Sequence, residues 1–247
     1  MIIIGYLVIF VYIFLLLFVV GPLVKKFYNV ECSRKVVHTS LFAIWIFFEI
    51  FLKGTIHQVI IPFIVTIMNT ISNKFKIFKS IERDSEKCYG TIYFSIAVLA
   101  VMLFVLVFPQ FYYCSGIAIF CLTFGDGFAS LIGYNVKSTK IYKNKSLAGS
   151  IACFVASVIS INALNIFYNI GLTELMLIVI GLAVVVFELI GKDFDNFTVT
   201  FSSFILSCIG IKFPNNNIAI VLGLIEIIIL IGIVLKNNKE KKISCEF

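Results

Sequence analysis

Asp126 stands between two glycines in an otherwise apolar stretch, Gly125-Asp126-Gly127-Phe-Ala129-Ser130-Leu-Ile-Gly133. An ionised carboxylate inside such a run is costly, and it marks a place where a cation or a metal shares its charge. At helical spacing Asp126, Ser130 and Gly133 fall on one face, where small residues leave room for a ligand. A basic loop follows, then Lys145-Ser146-Leu-Ala-Gly149-Ser150. An ammonium beside the backbone amides of a helix start is expected to favour phosphate. The plainer reading of both segments is close helix packing by small residues next to a basic loop.

Three further segments carry chemistry-bearing side chains. Glu31-Cys-Ser-Arg34-Lys35-Val-Val-His38 stacks Arg34 and His38 at i and i+4, with Lys35 beside them. Two cations and an imidazole at a membrane rim suit a phosphate. Interfacial anchoring accounts for the arginine and lysine, but not for a histidine one turn into a bilayer. Lys87-Cys-Tyr89-Gly90-Thr-Ile-Tyr93 enters a helix through a glycine that permits close backbone approach; alone it specifies little. Glu188-Leu-Ile-Gly191-Lys-Asp193-Phe-Asp195-Asn196 offers carboxylates and an amide to a hard cation such as Mg2+, or simply forms a polar turn. Glu49, Glu226 and His57 have no partner legible in the sequence and stay outside the expected site. GxxxxGK[ST], GxSxG and HExxH are all missing from the sequence. A phosphate site here is therefore expected to consist of glycines, lysines and a metal-bound carboxylate.

The elements that must position these residues are membrane helices. Of the 247 residues 61% are hydrophobic and only 13% charged, about half the charged share of a soluble chain. The apolar runs are continuous rather than alternating, so helices are expected and not a barrel. One all-α membrane domain of nine spans is predicted, at about 2–22, 36–52, 56–71, 92–108, 112–132, 149–168, 173–191, 197–212 and 217–235. A short basic tail, 236–247, follows it. The first span reads as a retained helix and not a signal peptide, having no basic leader and enough length to cross.

Charge sets the expected orientation. With the amino terminus outside, 18 of the 20 basic residues fall inside, leaving only Lys53 and Lys212 out. The carboxyl terminus is then cytoplasmic, and all four polar segments share the cytoplasmic face of a multi-pass cell-membrane protein. Lysines beside anionic lipid account for the net charge of +7 without nucleic acid. Seven cysteines without a CxxC pair, most in apolar runs, read as buried free thiols.

In combination these motifs resemble the membrane kinases that use CTP to phosphorylate lipid alcohols: dolichol kinase, phytol kinase and the yeast-type CTP-dependent diacylglycerol kinase. The resemblance rests on Arg34-Lys35-x-x-His38, on Tyr89 to Phe94, and on Gly125 to Gly133 with Lys145 to Ser150. Glu188 with Asp195-Asn196 completes it, so that it covers residues 31 to 200. The chain departs from the family pattern at Ala148 and Cys88, where acids are expected, near Thr200, where a proline is expected, and after Gly133, where a second glycine gives way to Val136-Lys137.

The resemblance implies CTP as phosphoryl donor, Mg2+ as cofactor and a polyprenol, phytol-like isoprenoid or diacylglycerol as acceptor. It implies Asp126 as metal ligand, helped by Asp195 and Asn196. Lys145, Ser146, Gly149 and Ser150 would cradle phosphates, with Gly125, Gly127, Ser130, Gly133, Lys87, Tyr89 and Gly90 completing the nucleotide site. Arg34 and Lys35 would stabilise transferring charge, and His38 or Asp126 would take the alcohol proton. Part of the pattern is also similar to phosphatidate cytidylyltransferase, which makes CDP-diacylglycerol. A small-solute transporter using Asp126 as an ion relay is a third reading, but it predicts polar residues across the midplane, whereas here they crowd one face.

Overall fold

The computed structural model describes residues 1–75, 77, 89–191 and 194–245. Within them the chain is all-α, and each of the nine expected segments is helical. We number the rods α1 (Ile2–Phe27), α2 (Val30–Leu52), α3 (His57–Phe75), α4 (Gly90–Val107) and α5 (Pro109–Asn135), then α6 (Leu147–Tyr168), α7 (Glu174–Gly191), α8 (Asp195–Lys212) and α9 (Asn216–Cys245). Among the described residues seven helices are long and apolar enough to cross a membrane; α3 and α8 are not among them.

For α8 the reason is visible in its packing. Thr200, Ser203 and Ser207 are fully buried, and each hydroxyl donates to a carbonyl three or four residues back in its own helix. The hydroxyls are thereby satisfied without solvent, and their small size lets α8 lie close against α5 and α7. A helix shielded by neighbours has no need of an all-apolar surface.

α5 and α7 form the centre of the bundle, and α1 and α9 its edge. Ile117, Leu122, Ile180 and Val184 are completely inaccessible, whereas Ile3 on α1 and Ile228 on α9 stand 83% and 68% exposed. That outward apolar surface is what a lipid-facing helix presents.

Local signals set the helix ends. Asn29 caps α2 by accepting from the Cys32 amide at 2.7 Å. α6 is closed by Asn169, in the left-handed conformation at φ 48°. Between α5 and α6 the expected basic loop folds into an antiparallel hairpin, β1 (Lys140–Tyr142) and β2 (Lys145–Ser146), turning at Lys143, whose φ is 47°. Ile141 and Tyr142 favour a strand and Asn144 a turn, a pattern obscured by the surrounding lysines. The five cysteines described with their side chains, at positions 32, 114, 121, 153 and 208, are free thiols.

Candidate functional site

The starts of α2, α4 and α8, the last turns of α5, the hairpin and the middles of α1 and α3 meet around a cavity of about 580 Å3. α2 brings Arg34, Lys35 and His38 to it, and α5 brings Asp126 and Ser130. Tyr89 and Gly90 border it at the start of α4, Lys145 comes from the hairpin, and Asp195 and Asn196 from the start of α8. Ten residues expected from the sequence as site residues, scattered over four segments, thus share one wall.

Asp126 is the hub. It is 2% exposed, and its Oδ2 accepts from Lys35 Nζ at 2.7 Å. His38 Nε2 lies 3.4 Å from the same oxygen and 3.0 Å from the carbonyl of Leu122. A carbonyl only accepts, so Nε2 carries a proton, and in the neutral ring Nδ1 keeps the lone pair. The backbone supplies this contact through wide π-helical turns over Cys121–Asp126, a distortion that concentrates at functional sites. The approach of α2 to α5 also depends on Gly127. A Cβ there would sit 2.2 Å from Thr39 Oγ1, well inside van der Waals contact, so any larger residue pushes Lys35 away from Asp126.

A second ion pair faces the first. Lys145 bonds to Glu188, which is 2% exposed, and its Nζ lies 4.0 Å from Asp195 Oδ2. Burial pulls the Lys145 ammonium down, but Glu188, Asp126 and Asp195 more than offset it and hold the group above its ordinary value. Lys145 is therefore charged at any physiological pH. Asn196 Nδ2 donates to the Gly90 carbonyl at 2.8 Å and ties α8 to α4. Arg34 pairs with Glu31 one turn earlier on α2.

Two groups of expected site residues make other contacts in the structure. The amides at the start of α6 are not presented to a phosphate. The Leu147 amide donates to the Thr139 carbonyl at 2.9 Å, that of Ala148 to Ser138 Oγ at 3.1 Å, and that of Gly149 to Ser146 Oγ at 3.2 Å. The hairpin has already used them, and Ser146 serves as the N-cap. Gly149 is glycine for packing: a Cβ there would come within 2.6 Å of the Ala129 carbonyl oxygen and 3.2 Å of Gly133 Cα.

Gly125 and Gly127, in turn, line neither this cavity nor its neighbour. A Cβ on Gly125 would strike Ser157 Oγ at 2.6 Å; both glycines let helices approach. Gly133, Ser146, Gly149 and Ser150 do line the neighbouring cavity, also about 580 Å3, which shares Glu31, Ser130 and Lys145 with the first. Lys87 lies outside the described residues, as does Asp193.

Glu188 was visible in the sequence as a carboxylate near the end of an apolar helix, the same signal that marks Asp126, yet its partner Lys145 lies 43 residues away. Asn69 and the apolar wall of the cavity carried no sequence signal beyond ordinary helix composition.

Among the described residues no three histidine, cysteine or carboxylate side chains converge on a point where they alone hold a metal. Asp126 Oδ1, however, is buried with no hydrogen-bond partner among the described residues, and Asp195 borders the same cavity. That donor set fits Mg2+, which is held through one or two carboxylates plus the phosphates of its substrate and not by a full protein cage. Compared with family models, curated proteins and solved structures, the chain matches none.

Proposed function

We propose that this protein is a CTP-dependent kinase of membrane lipid alcohols, related to the dolichol, phytol and CTP-using diacylglycerol kinases that its motifs resemble. The observation that carries the reading is one cavity with two characters. Its lining combines the charged and polar side chains Arg34, Lys35, His38, Asp126, Lys145 and Asp195 with the apolar Ile13, Leu16, Val37, Leu41, Ile44 and Val65. A triphosphate fits the first and the tail of a lipid alcohol the second.

The alternation of the helices supports nine crossings with the amino terminus outside. Each odd-numbered rod ends, and each even-numbered rod begins, at the end that carries Asp126; α9 returns there, where Asn237 Oδ1 accepts from the Lys143 amide at 3.4 Å. The basic clusters placed inside by charge then share that face, which supports a cytoplasmic site.

Phosphoryl transfer asks a protein chiefly for positioning and charge neutralisation. Lys145, Arg34 and Lys35 supply cations to the phosphates, with Ser130 and Ser150 as hydroxyl donors. Asp126 through Oδ1 and Asp195 would hold Mg2+, which would supply charge neutralisation to the triphosphate. The alcohol oxygen forms the new bond to the γ-phosphorus as the bond to the β–γ bridging oxygen breaks and CDP leaves. His38 Nδ1 takes the alcohol proton. Asp126 is less suited to that task because its Oδ2 is already engaged by Lys35.

Labelled CTP tests this in one assay on membranes or reconstituted protein. Label in the γ position is expected to move to the lipid, with CDP as co-product. Transfer of α-label, with pyrophosphate released, identifies a cytidylyltransferase, and transfer from neither position to any lipid ends the proposal.

A further inference from the structure

α9 contributes no residue to either large cavity, yet it touches the element that delivers Lys145. Its apolar span, Asn216–Asn237, has 22 residues, which at 1.5 Å each is roughly 33 Å. That length crosses a hydrocarbon core about 30 Å thick and leaves Asn237 at its edge. There the helix packs against β1. Asn237 is 5% exposed, and its Oδ1 accepts from the Lys143 amide, 94 residues away in sequence, at 3.4 Å. Its Nδ2 is buried with no partner among the described residues. Burying an amide side chain is costly unless it is hydrogen-bonded, and the Lys143 contact offsets part of that cost. Leucine, of nearly the same size, would fill the space without it.

The hairpin needs such a support. Two short strands alone are at best marginally stable in water. Lys143 at the turn adds to the difficulty, because its φ of 47° is a left-handed conformation unfavourable to a residue with a Cβ. The base of the hairpin is fixed to α6, through the Leu147 amide on the Thr139 carbonyl and the Ala148 amide on Ser138 Oγ. At the tip Lys140 Nζ donates to the Asn144 carbonyl at 2.9 Å within the hairpin, and Asn237 holds Lys143 from outside.

Lys145 follows the tip directly and is paired with Tyr142 across the ladder. Its ammonium bonds to Glu188 and lies 4.0 Å from Asp195 Oδ2. A shift of the tip therefore reaches Lys145 within two residues.

We infer that Asn237 is a positioning residue: through the Lys143 amide it holds the hairpin so that Lys145 meets Glu188 at the border of the two cavities. The consequence for nucleotide binding rests on the kinase reading, in which Lys145 contacts phosphate. The consequence for Lys145 itself does not.

Asn237→Leu keeps the volume and removes the acceptor, whereas Asn237→Asp keeps an acceptor oxygen in place. Lys145 is tested first without substrate. The full chain in detergent is treated with limiting acetic anhydride, and acetylation of Lys145 is followed by mass spectrometry against exposed Lys212 at the opposite end of α8. In Asn237→Leu the ratio of the two rates is expected to rise about fivefold, the factor that one hydrogen bond supports. In Asn237→Asp it is expected to stay near that of the unsubstituted protein. An unchanged ratio in Asn237→Leu overturns the inference.

Turnover with γ-labelled CTP then separates positioning from stability. KM for CTP is expected to rise about fivefold in Asn237→Leu, with KM for the alcohol unchanged, and to return in Asn237→Asp. A lower kcat with both KM values unchanged assigns Asn237 to stability alone and overturns the inference. Should the unsubstituted protein phosphorylate no lipid, the kinase reading fails, while the acetylation ratio still decides the role of Asn237.

Discussion

The two ends of α2 each carry a lysine bound to a carboxylate, and they are built in opposite ways. At the start of the helix Lys35 meets Asp126, 91 residues away on α5, at 2.7 Å. At its end Lys53 meets Glu49, four residues back, at 2.8 Å. Each carboxylate has one oxygen buried without a hydrogen-bond partner among the described residues. The surroundings differ. Lys53 also bonds to the Tyr113 hydroxyl at 2.7 Å and lies 4.3 Å from the centre of the same ring. Tyr113 in turn stacks on Tyr168, and Tyr112 packs on Trp45.

Aromatic rings thus flank the far pair, and its lysine reaches the surface, with Lys53 40% exposed against 8% for Lys35. The near pair borders a cavity, with a second pair, Lys145–Glu188, across from it. A local pair wrapped in rings is an anchor; a long-range pair left open to a cavity stores charge for a ligand to use.

The sharpest way to break this comparison is to neutralise the carboxylate at each end. Asp126→Asn is expected to lower CTP-dependent lipid phosphorylation about a thousandfold at unchanged protein level, while Glu49→Gln leaves the rate unchanged. Equal losses at both ends would show that the pairs serve stability alike. Next in size, Lys145→Ala is expected to cost about a hundredfold in turnover, as removal of one positioned cation does. Quantifying product with γ-labelled CTP checks both.

Gly127→Ala separates packing from chemistry. The added methyl meets Thr39 and forces α2 and α5 apart, at about 1–3 kcal/mol. A lower unfolding temperature in detergent, together with reduced activity, is expected. Gly127→Ala with Thr39→Ala, which removes the clash, is expected to regain most of the stability. The smallest effect belongs to Lys53→Met. It loses an exposed ion pair and a cation–π contact, together about 0.5–1 kcal/mol, with no change in turnover. A large loss of activity in this variant would show that the two ends are coupled.

Much of this molecule can be read without coordinates. Long apolar runs compel helices because hydrocarbon offers no partner to a backbone amide. The cost of burying a carboxylate singles out Asp126, and helical spacing places Arg34 beside His38. Each of these follows from solvation or from geometry within a few residues, and both are properties of a local segment.

Partnership was decided in space. That Lys35 touches Asp126 Oδ2, that Glu188 answers Lys145, and that Leu122 offers its carbonyl to His38 all depend on how close the rods approach. That distance is set by small residues such as Gly127, whose meaning in a sequence is ambiguous between turn, ligand cradle and close packing. The hairpin likewise claimed the α6 amides that a helix start alone would have left for phosphate. Side-chain chemistry is written along the chain, but the competition among neighbours for each donor and acceptor is settled only when distant segments pack.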